Sequence, residues 1–213
     1  MEVAQVQTRL AEVRTTLREH RATRPHPHLD DKVLAAWNGL MIAAASRAAR
    51  VVPEGAPQAL RMAERAAEFV RNALWDSTAG VLHRCFRDGR ASIDGYCEDY
   101  AFVIWGLLEL FQSNGNPEWL VLAKQLQARQ DQLFWDDVEG GWYSTTGEDS
   151  SVLLRVKDDY DGAEPSAGSV SVLNLLTLAH LESDADAMRK VEKALARFGL
   201  ELGHSARMVP LMT

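Results

Sequence analysis

Three short segments of this 213-residue chain hold nine carboxylates, and eight of them, all but Asp94, are the residues best placed to do chemistry. The segments read Leu29-Asp30-Asp31-Lys32, then Asp94-Gly95-Tyr96-Cys97-Glu98-Asp99-Tyr100, then Lys157-Asp158-Asp159-Tyr160-Asp161-Gly162-Ala163-Glu164-Pro165. Glycoside hydrolysis needs a pair of such groups, one protonated to donate to the leaving oxygen and one ionised to activate water or attack carbon. Asp31, Glu98, Asp99, Asp159 and Glu164 form the candidate acid, base or nucleophile set. Crowded carboxylates also provide a physical route to keeping one of them protonated near neutral pH. The competing reading is structural: carboxylates precede helices because they satisfy and complement the unpaired N–H groups of the first turn.

Around these groups lie residues that could line a binding site. Tyr96, Tyr100 and Tyr160 flank carboxylates and could stack on the apolar face of a sugar ring, whereas Trp37 and Trp105 fall inside apolar helices and read first as core. Trp37 is nevertheless retained with Asn38, His28, Asp30, Asp158 and Asp161 among candidate substrate-binding residues. His26-Pro27-His28 places two imidazoles at alternate positions of a stiff segment. Without a further His or Cys at ligand spacing that is a poor metal signal, so neither metal nor cofactor is expected. Cys85 and Cys97 have no zinc-ligand or CxxC spacing and read as free thiols, and Glu98 beside Cys97 argues against a thiolate nucleophile. Phosphate-loop, dinucleotide and nucleophile-elbow motifs are absent.

The elements that must position these residues are helical. Hydrophobic residues make up 46% and charged residues 25% of the chain, which suits a soluble globular fold, and a net charge of −7 disfavours nucleic acid and anionic membranes as partners. The longest apolar run, Leu40 to Ala45, is too short to span a bilayer, and a cytoplasmic location is expected. Apolar spacing predicts helices over Val3–His20, Asp31–Arg50, Gln58–Leu74, Glu98–Phe111, Glu118–Phe134, Val170–Leu181 and Ala185–Leu202, with Asp30 or Asp31 capping the second. Trp75-Asp76 with Gly80 returns as Trp135-Asp136 with Gly140, each predicting a helix end and a short hairpin. Gly39-Leu40 returns as Gly106-Leu107, and Leu107-Leu108-Glu109-Leu110 returns as Leu175-Leu176-Thr177-Leu178. Such self-similarity signals stacked units. The inference is an all-α array of about three helical hairpins, an apolar inner helix and an amphipathic outer one in each, with β inserts near Val81–Phe86 and Trp142–Val156. Curving into an α/α toroid, the pairs would bring their acidic leading segments to one mouth.

Pro27-His28-Leu29-Asp30-Asp31-Lys32 running into Ala36-Trp37-Asn38-Gly39-Leu40-Met41, with Glu98-Asp99-Tyr100-Ala101-Phe102, Lys157-Asp158-Asp159 and Asp161-Gly162-Ala163-Glu164-Pro165-Ser166, resembles the thioredoxin-domain family typified by spermatogenesis-associated, DUF255-type proteins. The similarity runs over about residues 25–200. It implies a helical region like the six-hairpin glycosidase and N-acylglucosamine 2-epimerase toroids, with the family's upstream thioredoxin-like domain outside this chain. The expected division is an N-terminal helix over 1–24 and a partial toroid over 25–213. The function expected is a carbohydrate-active or carbohydrate-binding funnel, glycosidase-like or epimerase-like if it is an enzyme. The alternative is a non-catalytic structural or interaction module in which Lys32 and Lys157 neutralise the acidic segments. A half toroid would expose inner-helix surface, so self-association is expected as well.

Overall fold

Apolar residues at helical spacing pair up along the chain, and the pairs are what the structure shows. The computed structural model describes residues 3–148, 150, 152–158, 160–199, 203, 210 and 211; Asp159 lies outside the described residues. Two units are distinguished, Met1–Asp31 and Lys32–Thr213. The first holds α1, Val3–Ala22, a helix with no buried residue, whose Thr8, Thr15 and Thr16 hydroxyls donate to carbonyls one turn back. Pro25 and Pro27 end it, since proline cannot continue a helical hydrogen-bond ladder. His28, Asp30 and Asp31 follow in an exposed segment without regular structure.

In the second unit, α2 (Ala35–Val51) pairs with α3 (Ala56–Phe69), α4 (Cys97–Asn114) with α5 (Pro117–Phe134), and α6 (Ala167–Glu182) with α7 (Ala185–Arg197). The apolar members α2, α4 and α6 pack side by side with α4 in the middle. Twelve residues of α4 are buried, on all sides of the helix, as expected for the central element of an inner layer. The amphipathic α3, α5 and α7 bury one stripe each and form the jacket. The fold is all-α with one small sheet.

The repeated glycines explain how closely α2 and α4 approach. A Cβ on Gly39 would lie 2.4–2.5 Å from the Phe102 carbonyl group and the Val103 nitrogen, and one on Gly106 would lie 2.7 Å from the Gly39 carbonyl oxygen. At the matching position of α6 stands Asn174, buried, whose Nδ2 donates to the Ala101 carbonyl at 2.8 Å. A backbone contact in one crossing becomes a side-chain bridge in the next.

The sheet has the order β1–β3–β2 with β4 added on β3, all antiparallel: β1 is Val33–Leu34, β2 Trp75–Asp76, β3 Val81–Arg87 and β4 Arg90–Asp94. Asp88 and Gly89, at φ 52° and 76°, close β3–β4 with the two-residue turn that an Asp-Gly pair favours. One π-helical turn, Val70–Leu74, joins α3 to β2.

Several expectations are corrected. Asp31 does not cap α2, because Val33–Leu34 is drawn into β1 against Phe86 and Cys85 and the helix begins only at Ala35, after an extended Leu34. Trp37 is not core but 61% exposed. The Trp142–Val156 insert contains no strand among the described residues, only a bridge between Trp135 and Trp142. Its loop is held instead by Lys157, whose Nζ meets Asp136 at 2.6 Å and the Gly140 carbonyl at 2.8 Å. The recurrent Trp-Asp…Gly motif, by contrast, is the helix end and tight hairpin that was expected: Trp75-Asp76 pairs antiparallel with Val81-Leu82, and Trp135 bridges to Trp142. Asp76 Oδ1 accepts from the Thr78 and Ala79 N–H groups, Asp136 Oδ1 from those of Val138 and Glu139, and Gly80 and Gly140 follow at positive φ.

Candidate functional site

The leading turns of the three inner helices converge. Ala36 of α2, Ala101 and Phe102 of α4 and Val170 of α6 are buried in one apolar cluster, against which Leu40, Trp105 and Leu211 pack. What this end of the second unit presents is therefore set by the residues around those four.

At α4 the chemistry is tightly coupled. Tyr96 N-caps the helix, and Asp99 at the third position accepts the Tyr96 N–H through Oδ2 at 2.9 Å, the return arm of a capping box. Asp99 Oδ1 also accepts the Ala36 N–H of α2 at 3.2 Å, so one fully buried carboxylate caps two neighbouring helices. Arg84, projecting from β3, donates to Glu98 at 2.7 Å and to Asp99 at 2.9 Å, and its guanidinium lies 4.8 Å from the centre of the Tyr96 ring. Burial pushes the Asp99 carboxyl above its ordinary value, and the Arg84 charge and the Tyr96 N–H pull against that. Arg84 is itself held above its usual value: burial works the other way, but Glu98 and Asp99 outweigh it. Sequence reasoning missed Arg84 because it lies on another element, although alternation along Val81–Arg87 places it opposite Cys85 on the sheet.

Tyr100 does not line a site. It is buried, its hydroxyl accepts the Leu82 N–H at 3.0 Å, and its ring packs edge-on to Phe134. Cys97 is buried with Gln130 and Ser171 around it, and burial pushes its thiol up to about 12, which removes it as a nucleophile. Trp37 is exposed in the first turn of α2, and Asn38 turns back to donate to the Leu34 carbonyl at 2.8 Å. Glu98 is partly exposed, the Arg84 bond notwithstanding.

At α6, Ser166 is the N-cap, its Oγ accepting the Ser169 N–H at 3.1 Å. Asp161 reinforces it by accepting the Ser166 N–H at 2.8 Å through Oδ1, and its Oδ2 accepts the Leu211 N–H at 3.0 Å. Glu164 is exposed, as are Asp158 and Tyr160. Asp161, Glu164, Pro165 and Leu211 border a cavity of about 310 Å³. Of the residues singled out by sequence, the fold thus turns Asp99 and Tyr100 inward and commits Asp161 to capping. It leaves Trp37, Tyr96, Glu98, Asp158, Tyr160 and Glu164 accessible in the second unit. His28, Asp30 and Asp31 belong to the first unit. Among the described residues no three His, Cys, Asp or Glu side chains are grouped as metal ligands, and no helix is long and apolar enough to cross a membrane.

Comparison with known proteins is consistent with this architecture. The chain is 39% identical over 207 residues to human "Spermatogenesis-associated protein 20", an alignment that takes in 93% of this chain and 26% of that protein. The rat protein of the same name is 41% identical over 187 residues, 84% of this chain and 23% of that one. The chain thus spans about a quarter of the length of the curated relatives it matches. No family model matches it. Among solved structures, cellobiose 2-epimerase from Bacillus thermoamylovorans superimposes with a TM-score of 0.65 at 18% identity, over 81% of this chain and 46% of the epimerase. At that identity the likeness establishes the α/α-toroid fold, with roughly half of a ring represented.

Proposed function

We propose that this chain is the helical region of a protein related to the spermatogenesis-associated, DUF255-type family, and that its second unit is a carbohydrate-binding half toroid. The mouth formed by the leading turns of α2, α4 and α6 is its site. The observation that carries the reading is the convergence of those turns in the Ala36–Ala101–Phe102–Val170 cluster, which gives accessible Trp37, Tyr96, Glu98 and Glu164 a common end of the fold. Indole and phenol faces suit the apolar face of a pyranose, and carboxylates accept from its hydroxyls. Glu98 and Glu164 are the carboxylates of this mouth available for acid–base work; for Asp31 and Asp159 the proposal rests on the sequence alone. Asp99 positions two helices and Arg84.

The test is thermal-shift titration with a panel of mono- and disaccharides on wild type and on Glu98→Gln. A saturable rise in melting temperature that the variant loses, with its own ligand-free melting temperature unchanged, supports the reading. No response to any sugar refutes it.

A second reading, a non-catalytic interaction module, is favoured by one specific finding: Glu98 and Asp99 are both already engaged by the Arg84 guanidinium. In that reading Trp37 and Met41, 61% and 55% exposed one turn apart on α2, are an interface for a second copy. Sedimentation velocity of Trp37→Ser/Met41→Ser decides it, a monomeric wild type being the result against it.

A further inference from the structure

Beside Tyr96, at the start of α4, the structure contains a cavity whose second wall, Thr145 to Glu148, belongs to none of the acidic segments. It measures about 370 Å³ and lies between the β4–α4 turn, through Ile93, Asp94 and Tyr96, and the loop that brings Thr145, Thr146 and Glu148. Four features set it apart from a packing gap. Ile93 sits at φ 63°, in the left-handed region that a β-branched residue enters only when its surroundings force it, and strain of this kind concentrates at ligand sites. The Thr145 hydroxyl is buried without a hydrogen-bond partner. Its loop is nonetheless fixed: the Ser144 carbonyl accepts the Cys97 N–H at 3.1 Å, and the Thr145 carbonyl accepts Arg155 Nε at 3.0 Å. An unpaired hydroxyl in a loop so held is open to pairing with a ligand group or a buried water. Tyr96 supplies an aromatic ring, 41% exposed, and Asp94 and Glu148 supply exposed acceptors.

We infer that this cavity is an off-axis subsite for a neutral sugar ring, an inference that rests on the carbohydrate reading of the mouth. The apolar C–H face of the ring meets Tyr96. Its hydroxyls donate to Asp94 and Glu148, and the unpaired hydroxyl of Thr145, a residue of the cavity lining, is a further group with which a ring hydroxyl can pair. The two carboxylates exclude an anion. The Arg84 guanidinium already lies 4.8 Å from the centre of the Tyr96 ring, so a cation would have to be held by Asp94 and Glu148 without that aromatic face, an outcome the experiment below separates.

The experiment is an amide NMR titration of the full chain with cellobiose and with methyl α-mannoside, repeated on Glu148→Gln and Thr145→Val. Neither residue contributes to the α4 cap or the Arg84 pairs, and Thr145→Val removes an unsatisfied hydroxyl, so both variants should fold. Saturable shifts at residues 93–96 and 145–148, with affinity about tenfold weaker in each variant, are expected. Shifts confined to the leading turns of α2 and α6, with unchanged affinity in both variants, overturn the subsite and leave the carbohydrate reading standing. Saturation by methylguanidinium at the same amides overturns it in favour of a cation site. Absence of any saturable sugar response overturns both.

Discussion

Replacing Asp99 by alanine separates a positioning role from a chemical one, because the structure specifies what is lost. The carboxylate is fully buried and accepts the Tyr96 N–H, the Ala36 N–H and one Arg84 N–H. Loss of the α4 capping arm costs about 1 kcal/mol. Stranding the Ala36 N–H away from water costs about 1–3 kcal/mol more. Arg84 retains Glu98 at 2.7 Å and adds less. The total, about 2–4 kcal/mol, corresponds to a fall of roughly 4–16 °C in Tm for a domain of this size. Asp99→Asn keeps one acceptor oxygen but sets an amide NH₂ against an N–H or the guanidinium, so it should fall between alanine and wild type. Urea denaturation with an unchanged m-value, alongside the thermal scan, gives the measurement. A loss below about 0.5 kcal/mol for Asp99→Ala refutes the double-cap reasoning.

Two further outcomes follow from geometry away from the mouth. Glu109 is buried and takes both Arg47 and Arg50; burial alone would raise its carboxyl, but the two guanidinium bonds outweigh that and hold it below its ordinary 4.5. A depressed folded-state value means this stabilisation is present above the unfolded range and is lost as pH falls through the folded value. Stability should therefore decline on acidification below about pH 4.5, and Glu109→Gln should flatten that decline while costing about 1–3 kcal/mol at pH 7. Denaturant midpoints across pH 3–7 (roughly the span in which carboxylates titrate) check both statements. Gly39→Ala should cost about 1–3 kcal/mol by overpacking the α2–α4 crossing, whereas Gly115→Ala, with open space around it, should cost only the strain of a positive φ.

The parts of the fold that could be read in advance are those where a local pattern has a local cause. Apolar periodicity fixed the existence of the helices to within a few residues, and the Asp88-Gly89 turn follows from its two residues alone. The repeated glycines were visible as a repeat, but that they mark a backbone contact between α2 and α4 is a fact about two elements. The failures have the same origin. Asp31 looked like the cap of α2, and the carboxylate that accepts from its first turn is Asp99, 63 positions beyond Ala36 along the chain. Trp37 lay in an apolar run, and only the arrangement of the inner layer decides which side of α2 it occupies. Thr145 and Ile93 carried no signal at all: one matters for a missing partner and the other for a backbone angle, and neither property is written in a residue type.

The same distinction bears on what the acidic segments are for. Three carboxylate clusters before three helices fit both a capping and a catalytic account, and burial is what divides them residue by residue. A carboxylate that is fully desolvated and has several donors, as Asp99 has, cannot exchange its partners for a substrate without dismantling the helix ends it joins. Glu98 shares the same guanidinium but is more than a third exposed, so water or a sugar hydroxyl can compete for it at modest cost. Under the proposed function a division of labour follows: the inner of two adjacent acids joins the helix ends and holds Arg84, and the outer one is left to meet a ligand. Reversing the pair, Glu98→Asp with Asp99→Glu, should therefore cost stability through the second substitution and ligand binding through the first. Were both losses to trace to one position, the two carboxylates would be acting as a single structural unit.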